Sequence, residues 1–270
     1  MGIDGTQSVD RALALLLRLV DDGGQHTLAD LGRAGGLAPS TSYRLGAALR
    51  KAGMIVSTGR GRFVVGPALA SRQDRLSLSA ALAAAARPIL KYIAQQGKCV
   101  AHLGVLESDM VTYLVREGAN VGNIHSEEGK QLEAYCSGIG KMLLAGLSVD
   151  ARDAYLGSAP FVALTDRTIT NPEELRAELA AIAAQGFARD EGEGAPEITC
   201  IAVPIKGRDC RAVAAISLSW TAQVFAEGPA LRMLQQARAE LEEGMFEKSL
   251  PSNGDPQPDD RPSAKVVQLP

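Results

Sequence analysis

The sequence is poor in aromatic residues (4%), holds only three histidines, and has four cysteines without a C-x-x-C pair. Scattered single cysteines and histidines lack the spacing of a structural metal site or of a dithiol redox motif. No apolar run approaches the roughly 20 residues needed to cross a bilayer, and the N-terminus lacks the pattern of a secretory signal. We therefore expect a cytoplasmic protein with reduced thiols, without a metal or cofactor and without a membrane partner.

Charged residues are distributed unevenly along the 270-residue chain. The net charge is −3, yet residues 1–75 carry +4 and the remainder carries −7. No acidic residue lies between Asp30 and Asp74, whereas seven basic residues fall in that interval. A local positive field on an acidic chain indicates a polyanion-binding module joined to a second domain, with a solvated basic face as the alternative.

Three helices are predicted in the first 53 residues. Ser8 is a good N-cap for the first helix, whose apolar stripe comprises Val9, Ala12, Leu13, Leu16, Leu17, Leu19 and Val20. Thr27 caps a second helix over residues 28–34, and a third opens at Pro39, where a missing N–H is tolerated. The buried side of this third helix is predicted to consist of Leu45, Ala48, Leu49 and Ala52.

A β-hairpin is predicted after the third helix, because residues 54–58 and 62–65 alternate around Gly59-Arg60-Gly61. Two helices joined by a glycine-containing turn, followed by this hairpin, form a winged helix-turn-helix. In such a module the start of the second helix of the pair meets base edges in the major groove. The predicted DNA-binding residues are Thr27, Ser40, Thr41, Tyr43, Arg44, Arg50, Lys51, Arg60 and Arg62. Winged helices also bind proteins, which is the alternative function.

The remainder of the chain alternates between strand and helix patterns. A connecting helix over residues 76–96 is expected to be interrupted at Pro88. The predicted strands are 100–106, 110–115, 198–205 and 212–220, and the predicted helices are 139–147, 171–185 and 228–247. This mixture is typical of an α+β domain, here over residues 97–249. Residues 250–270 are rich in proline and acid and are predicted to be disordered.

Several segments resemble the IclR family of bacterial transcriptional regulators. The N-terminal ones are SVDRALALLLRLV (8–20), TLADLGRAGGLAPSTSYRLGAALRKAGMI (27–55) and GRFVVGPAL (61–69). The C-terminal ones are YCSGIGKMLLAGL (135–147) and GFARDEGEGAPEITCIAVPI (186–205). The resemblance implies a winged helix-turn-helix over 1–75, a linker helix over 76–96 and a GAF-like effector-binding domain over 97–249. It further implies double-stranded operator DNA as partner, a small-molecule effector, and homodimers that often pair into tetramers.

An effector site is expected where Gly138 and Ile139 begin a helix, because free N–H groups there favour an anion such as a carboxylate. The resemblance implies that this site is closed by Asp190, Ile198, Cys200, Ser217 and Ser219. Alternation along two strands lets these residues share a face, and serine hydroxyls suit a buried carboxylate. In the alternative interpretation, the serines are solvated and Cys200 is ordinary core packing.

Two other functions compete with an effector-responsive regulator. An enzyme would use Cys200 as nucleophile, His102 or His125 as base and Asp190 to orient the base, but strand-interior cysteines are usually unreactive. We therefore expect no catalytic residues. A redox-sensing regulator would use one of the four thiols, which are Cys99, Cys136, Cys200 and Cys210.

Overall fold

The computed structural model describes residues 7–72, 77–118, 126–221 and 227–246, and the predicted tail at 250–270 lies outside them. The described residues fall into two compact units, one within Met1–Arg75 and one within Leu76–Glu247. No helix among the described residues is long and apolar enough to cross a membrane.

The first unit contains three helices and a hairpin. Its elements are α1 (Gln7–Asp22), α2 (Leu28–Ala34), α3 (Pro39–Lys51), β1 (Ile55–Gly59), β2 (Arg62–Val65) and a short α4 (Pro67–Ala70). Thr27 caps α2 by accepting a hydrogen bond from the Asp30 amide. α1 begins earlier than predicted, so Ser8 lies inside the helix and is not its N-cap.

The core of this unit differs from the predicted one in two helices. On α1 the buried residues are Leu15, Leu16 and Leu19, and much of the predicted stripe faces outward. On α3, Leu45 and Leu49 are buried as predicted, but Ala48 and Ala52 are exposed. Their places are taken by Ser42 and Gly46, since α2 crosses α3 closely: a side chain at Gly46 would overlap Leu28.

The second unit is built around a six-stranded antiparallel sheet with the order β5-β4-β3-β8-β7-β6. Its strands are β3 (Val100–Glu107), β4 (Met110–Glu117), β5 (Gln131–Glu133), β6 (Ala188–Glu191), β7 (Ile198–Lys206) and β8 (Ala212–Thr221). Its helices are α5 (Leu78–Gly97), α6 (Gly138–Ala145), α7 (Val149–Leu156), α8 (Pro172–Gln185) and α9 (Glu227–Phe246). The α+β prediction is confirmed.

The two faces of the sheet are covered by different helices. Ile201, Val203 and Ile205 of β7 pack with α5 and α9, whereas Ala202 points to the side of α6 and α8. The interruption predicted at Pro88 is wrong, because α5 runs through that residue. Pro88 lies on the exposed side of the helix, where water can satisfy the carbonyl that loses its N–H partner.

Candidate functional site

The first two turns of α3 carry the predicted base-reading residues. Ser40, Tyr43 and Arg44 are exposed there, and Thr41 is half-buried. Arg50 and Lys51 are exposed at the end of the same helix, and Arg60 and Arg62 are exposed on the hairpin. This arrangement presents polar and basic groups on one helix and its adjoining wing.

The basic residues of this surface have no acidic partners within the part of the chain that the structure describes. The side chains of Arg44, Arg50, Lys51, Arg60 and Arg62 form neither ion pairs nor hydrogen bonds there. By contrast, Arg33 on α2 donates to Asp30 at 2.9 Å. The five free cations can therefore contact phosphates or bases without breaking an existing pair.

The tip of the hairpin is a two-residue turn in which Arg60 (φ 52°) and Gly61 (φ 76°) have left-handed conformations. Two such residues in succession match the type I′ turn that joins tightly paired strands. The Tyr43 hydroxyl lies beside Gly61, which links α3 to the wing. Thr27 forms an isolated bridge with Arg62, and its hydroxyl donates to Asp30 at 2.6 Å.

A cavity of about 170 Å³ lies in the second unit, on the side of the sheet that faces α6. All seven predicted effector residues line it: Gly138, Ile139, Asp190, Ile198, Cys200, Ser217 and Ser219. They come from α6, β6, β7 and β8, so the fold brings four separate segments together. We call this space the polar cavity. It also has lining residues outside the predicted set, among them Tyr113, Ser126 and Ser137.

The N-terminus of α6 forms one wall of the polar cavity. Ser137 caps the helix by accepting a hydrogen bond from the Gly140 amide at 3.1 Å. The Gly138 and Ile139 amides have no partner within the helix, because the first turn lacks preceding carbonyls. A Cβ atom at Gly138 would lie 2.6 Å from the Cys200 sulfur, so only glycine allows this approach.

Polar residues occupy facing positions on neighbouring strands of the opposite wall. Cys200 pairs with Ser219 and with Asp190, and Ser217 pairs with His102 of β3. Because residues two apart on a strand share a face, Ser217 and Ser219 both point into the cavity. The Ser217 hydroxyl lies 3.5 Å from His102 Nδ1, which is the long limit of a hydrogen bond, so it can turn to a ligand at little cost.

Asp190 presents a carboxyl group to the polar cavity. Its Oδ1 accepts hydrogen bonds from the Glu193 amide at 2.7 Å and from the Gly192 amide at 3.1 Å. Its Oδ2 has the Cys200 thiol as a weak donor at 3.9 Å. Burial raises the pKa of Asp190, although these amides and the Lys141 charge oppose the rise. One carboxyl oxygen therefore stays available to a ligand.

The ionisable side chains near Asp190 do not have the properties of a catalytic pair. Burial, with a contribution from Arg116, lowers the pKa of His102 to about 3, so its ring is neutral. Burial also raises the pKa of the Cys200 thiol, which disfavours the thiolate that a nucleophile requires. His125, the other proposed base, lies outside the described residues. No group of three metal-ligating side chains occurs among the described residues.

Burial also disfavours the reactive thiolate form at two of the other cysteines, which bears on the redox-sensing alternative. Burial raises the pKa of Cys99 and of Cys136 to about 12, which leaves both thiols protonated. Cys210 is the exposed cysteine, and it lies in the turn between β7 and β8.

Sequence reasoning missed a buried charge cluster behind the cavity wall. Lys141 of α6, only 1% exposed, pairs with Glu193 and lies 3.2 Å from Glu178 of α8. Its place in the short, otherwise apolar segment GIGKMLLA is the signal that could have revealed a buried lysine. Glu193 lies two residues after the end of β6, and the next two residues, Gly194 and Ala195, line the polar cavity.

Comparison with protein families gives two matches along the chain. Residues 8–59 match the IclR helix-turn-helix domain, and residues 76–242 match the C-terminal domain of the bacterial transcriptional regulator IclR.

Individual relatives resemble most of the chain. The HTH-type transcriptional regulator BhcR of Paracoccus denitrificans is 30% identical over 245 residues, which cover 90% of this chain and 85% of the relative. The Pca regulon regulatory protein of Pseudomonas putida is 31% identical over 219 residues, covering 80% and 75%. An IclR homolog from Microbacterium hydrocarbonoxydans, solved in complex with 4-hydroxybenzoate, is 28% identical with a TM-score of 0.59, covering 87% of this chain and 98% of that chain.

Proposed function

The chain belongs to the IclR family of bacterial transcriptional regulators, and we propose that α3 reads operator DNA while the polar cavity binds the controlling effector. The helix-turn-helix match over residues 8–59 makes the first unit the DNA-binding one. The observation that supports the effector proposal most strongly is the convergence of seven residues from four elements on one cavity.

On the DNA side, we assign base contacts to Ser40, Thr41, Tyr43 and Arg44, because they occupy the exposed start of α3. Arg44 can grip a guanine through two parallel hydrogen bonds. Arg50 and Lys51 are assigned to phosphates, and Arg60 and Arg62 to the backbone or minor groove beside the wing. Thr27 stays a predicted DNA-binding residue, although its hydroxyl already bonds to Asp30.

On the effector side, we propose a small organic acid that carries at least one carboxyl or carbonyl oxygen. That oxygen would accept hydrogen bonds from the Gly138 and Ile139 amides and from the Ser217 and Ser219 hydroxyls. A cavity of about 170 Å³ is close to the roughly 150 Å³ that holds benzene in another protein, so one ring fits. The complex of the Microbacterium relative makes 4-hydroxybenzoate a suitable first probe.

We also propose a homodimer, because α1 exposes an apolar row that the unit itself does not cover. The row, called the α1 stripe, consists of Val9 (56% exposed), Leu13 (50%), Leu17 (62%) and Val20 (44%). These residues follow spacings of four and three, so they lie on one side of the helix. Two dimers would pair through the second unit. The protein acts in the cytoplasm by binding alone, without catalysis.

The proposal is tested in three steps with the full-length protein. Wild-type protein first selects its operator from a random-sequence DNA library. A thermal-shift screen of small carboxylates, aromatic acids and their amides then identifies ligands, because a compound that binds the native state raises the melting temperature. Each hit is added to an operator-binding titration, where a true effector changes the apparent affinity for DNA.

Separate outcomes contradict the two halves of this proposal. Failure to enrich any DNA sequence contradicts operator reading by α3. Selection of an operator whose binding no tested acid or amide changes contradicts the effector assignment.

A further inference from the structure

Tyr113 of β4 lines the polar cavity and is only 8% exposed. Its hydroxyl forms no hydrogen bond with any residue that the structure describes. The oxygen is not among the described side-chain atoms that are fully buried without a partner, which fits a hydroxyl facing the space of the cavity. The stability of the free protein therefore gives no reason for a tyrosine rather than a phenylalanine at this position.

Tyr135 shows how a structural tyrosine differs. It is also buried, and its hydroxyl donates to the Val162 carbonyl oxygen at 2.8 Å. It packs against Phe161, with 4.8 Å between the ring centroids, and it does not line the polar cavity. The Tyr135 hydroxyl thus has a partner within the protein, whereas the Tyr113 hydroxyl lies at the polar cavity without a partner among the described residues.

The Tyr113 ring is held by His102 on the neighbouring strand. The two ring centroids lie 5.1 Å apart at an angle of 48°. His102 is itself fixed, because its Nε2 lies 2.6 Å from the Ser126 hydroxyl. The aromatic ring is therefore oriented before a ligand arrives, which lowers the entropy lost on binding.

The chemistry of the Tyr113 hydroxyl is that of a neutral donor. Burial raises its pKa, and nearby Cys200, Asp190 and Cys136 add to the rise. The His102 ring carries no charge either. Lys130 also lines the cavity, but it pairs with Glu127 at 2.7 Å, so its charge is already balanced within the protein. Such a surface suits a neutral oxygen better than a second carboxylate.

We propose that Tyr113 determines effector specificity by donating a hydrogen bond to a second, neutral oxygen of a ring-sized acid. The first oxygen function of this effector would bind at Gly138 and Ile139, as in the proposed function on which this inference rests. β4, which carries Tyr113, is separated from β7 by two strands, so about 14 Å lies between their backbones. Because the start of α6 lies against Cys200 of β7, a ring-sized acid with an oxygen at each end can reach from the α6 amides towards Tyr113.

The experiment compares 4-hydroxybenzoate with benzoate, which differ by one hydroxyl group. Isothermal titration measures both compounds against wild type, Tyr113→Phe and the control Tyr135→Phe. Wild type should prefer 4-hydroxybenzoate. Tyr113→Phe should bind 4-hydroxybenzoate about tenfold more weakly and benzoate within twofold of wild type, because one neutral hydrogen bond is lost. Tyr135→Phe should bind both compounds as wild type does.

Melting temperatures check that each variant is folded. Tyr113→Phe should melt at or above the wild-type temperature, and Tyr135→Phe should melt lower because it loses an internal hydrogen bond. Equal weakening of both ligands by Tyr113→Phe would overturn the inference in favour of a packing role. No change for either ligand would overturn it as well. If wild type binds neither compound, the ring-sized class is wrong, while release of the operator by another acid would still support the proposed function.

Discussion

Lys141 of α6 and Glu193, which follows β6, form a buried ion pair behind the wall of the polar cavity. Burial raises the pKa of Glu193 to about 7, although the Lys141 charge opposes this rise. Burial alone would lower the pKa of Lys141, but Glu193 and Glu178 outweigh it and raise that pKa. The second carboxyl oxygen of Glu193 is buried without a hydrogen-bond partner. Glu193 therefore depends on Lys141 for its charge to be tolerated.

Lys141→Met should destabilise the protein at pH 8 by at most the roughly 3–5 kcal/mol of a broken buried pair, because Glu193 must then either stay charged without its cation or take up a proton. Removal of the cation raises the folded-state pKa of Glu193 further above its unfolded value. The unfolded state ionises first, so the penalty grows as the pH rises from the unfolded pKa towards the folded pKa and is complete only above the folded pKa. Urea unfolding at pH 5 and pH 8 should show the smaller loss at pH 5.

Two variants control this measurement. Adding Glu193→Gln to Lys141→Met should recover part of the lost stability at pH 8 and remove the pH dependence. Arg176→Met breaks a surface pair with Asp153 and should cost under about 1 kcal/mol at either pH. An equal loss in Lys141→Met at both pH values would contradict a buried charge at Glu193.

Arg44→Ala should weaken binding to the selected operator by about 1–3 kcal/mol and relax the preference at a single base pair. The reason is the loss of a two-point contact to a guanine from the exposed start of α3. Fluorescence anisotropy with the operator and its single-base variants measures both effects. Arg211→Ala, which removes an exposed arginine from the second unit, is the matched control. Wild-type affinity and specificity in Arg44→Ala would mean that another element reads the bases.

Arg60→Asn should separate the DNA contact of the wing from its fold. Asparagine adopts the left-handed conformation of residue 60 more readily than arginine, so the hairpin should be as stable or slightly more stable. Operator affinity should fall to a similar extent for all DNA sequences. The slope of log affinity against log salt concentration should drop by about one, because one phosphate contact is lost. An unchanged slope would exclude Arg60 from the interface.

Local signals predicted several elements with their boundaries. α2 has the predicted bounds, since the Thr27 cap and the glycines at 35 and 36 limit it at both ends. α8 likewise begins after Asn171, whose side chain caps it, and ends at Gly186, which is left-handed. In these two helices the capping residues directly flank the helical segment, so the local sequence is enough to define both helix ends.

Features that depend on tertiary contacts were predicted less well. β6 was not predicted, because its sequence, ARDE, is polar. It forms a strand because its backbone pairs with β7. α1 carries one broad apolar arc of which only part packs inward, so the pattern could not tell which of its residues form the core. Tyr113 reaches the polar cavity through a sheet order in which β4 and β8 both flank β3. No local pattern encodes that order.

Ser217→Ala should weaken the effector found in the thermal-shift screen by roughly ten- to a hundredfold, because it removes a hydrogen bond to a charged oxygen. The Ser217 hydroxyl lies 3.5 Å from His102 Nδ1, so little internal hydrogen bonding is lost with it. Isothermal titration checks the affinity, and operator binding without effector should match wild type. Equal affinities would remove Ser217 from the site, and loss of folded protein would indicate a packing role.

Leu17→Glu should reduce the size of the assembly, because Leu17 lies in the α1 stripe and a buried charge opposes association. The folded monomer should be unaffected, since the side chain is exposed in it. Sedimentation velocity at several protein concentrations measures the assembly, and circular dichroism checks the fold. Ala14→Glu places the same charge at an exposed position of α1 outside the stripe and should assemble as wild type does. An unchanged assembly in Leu17→Glu would mean that the stripe is not the dimer interface.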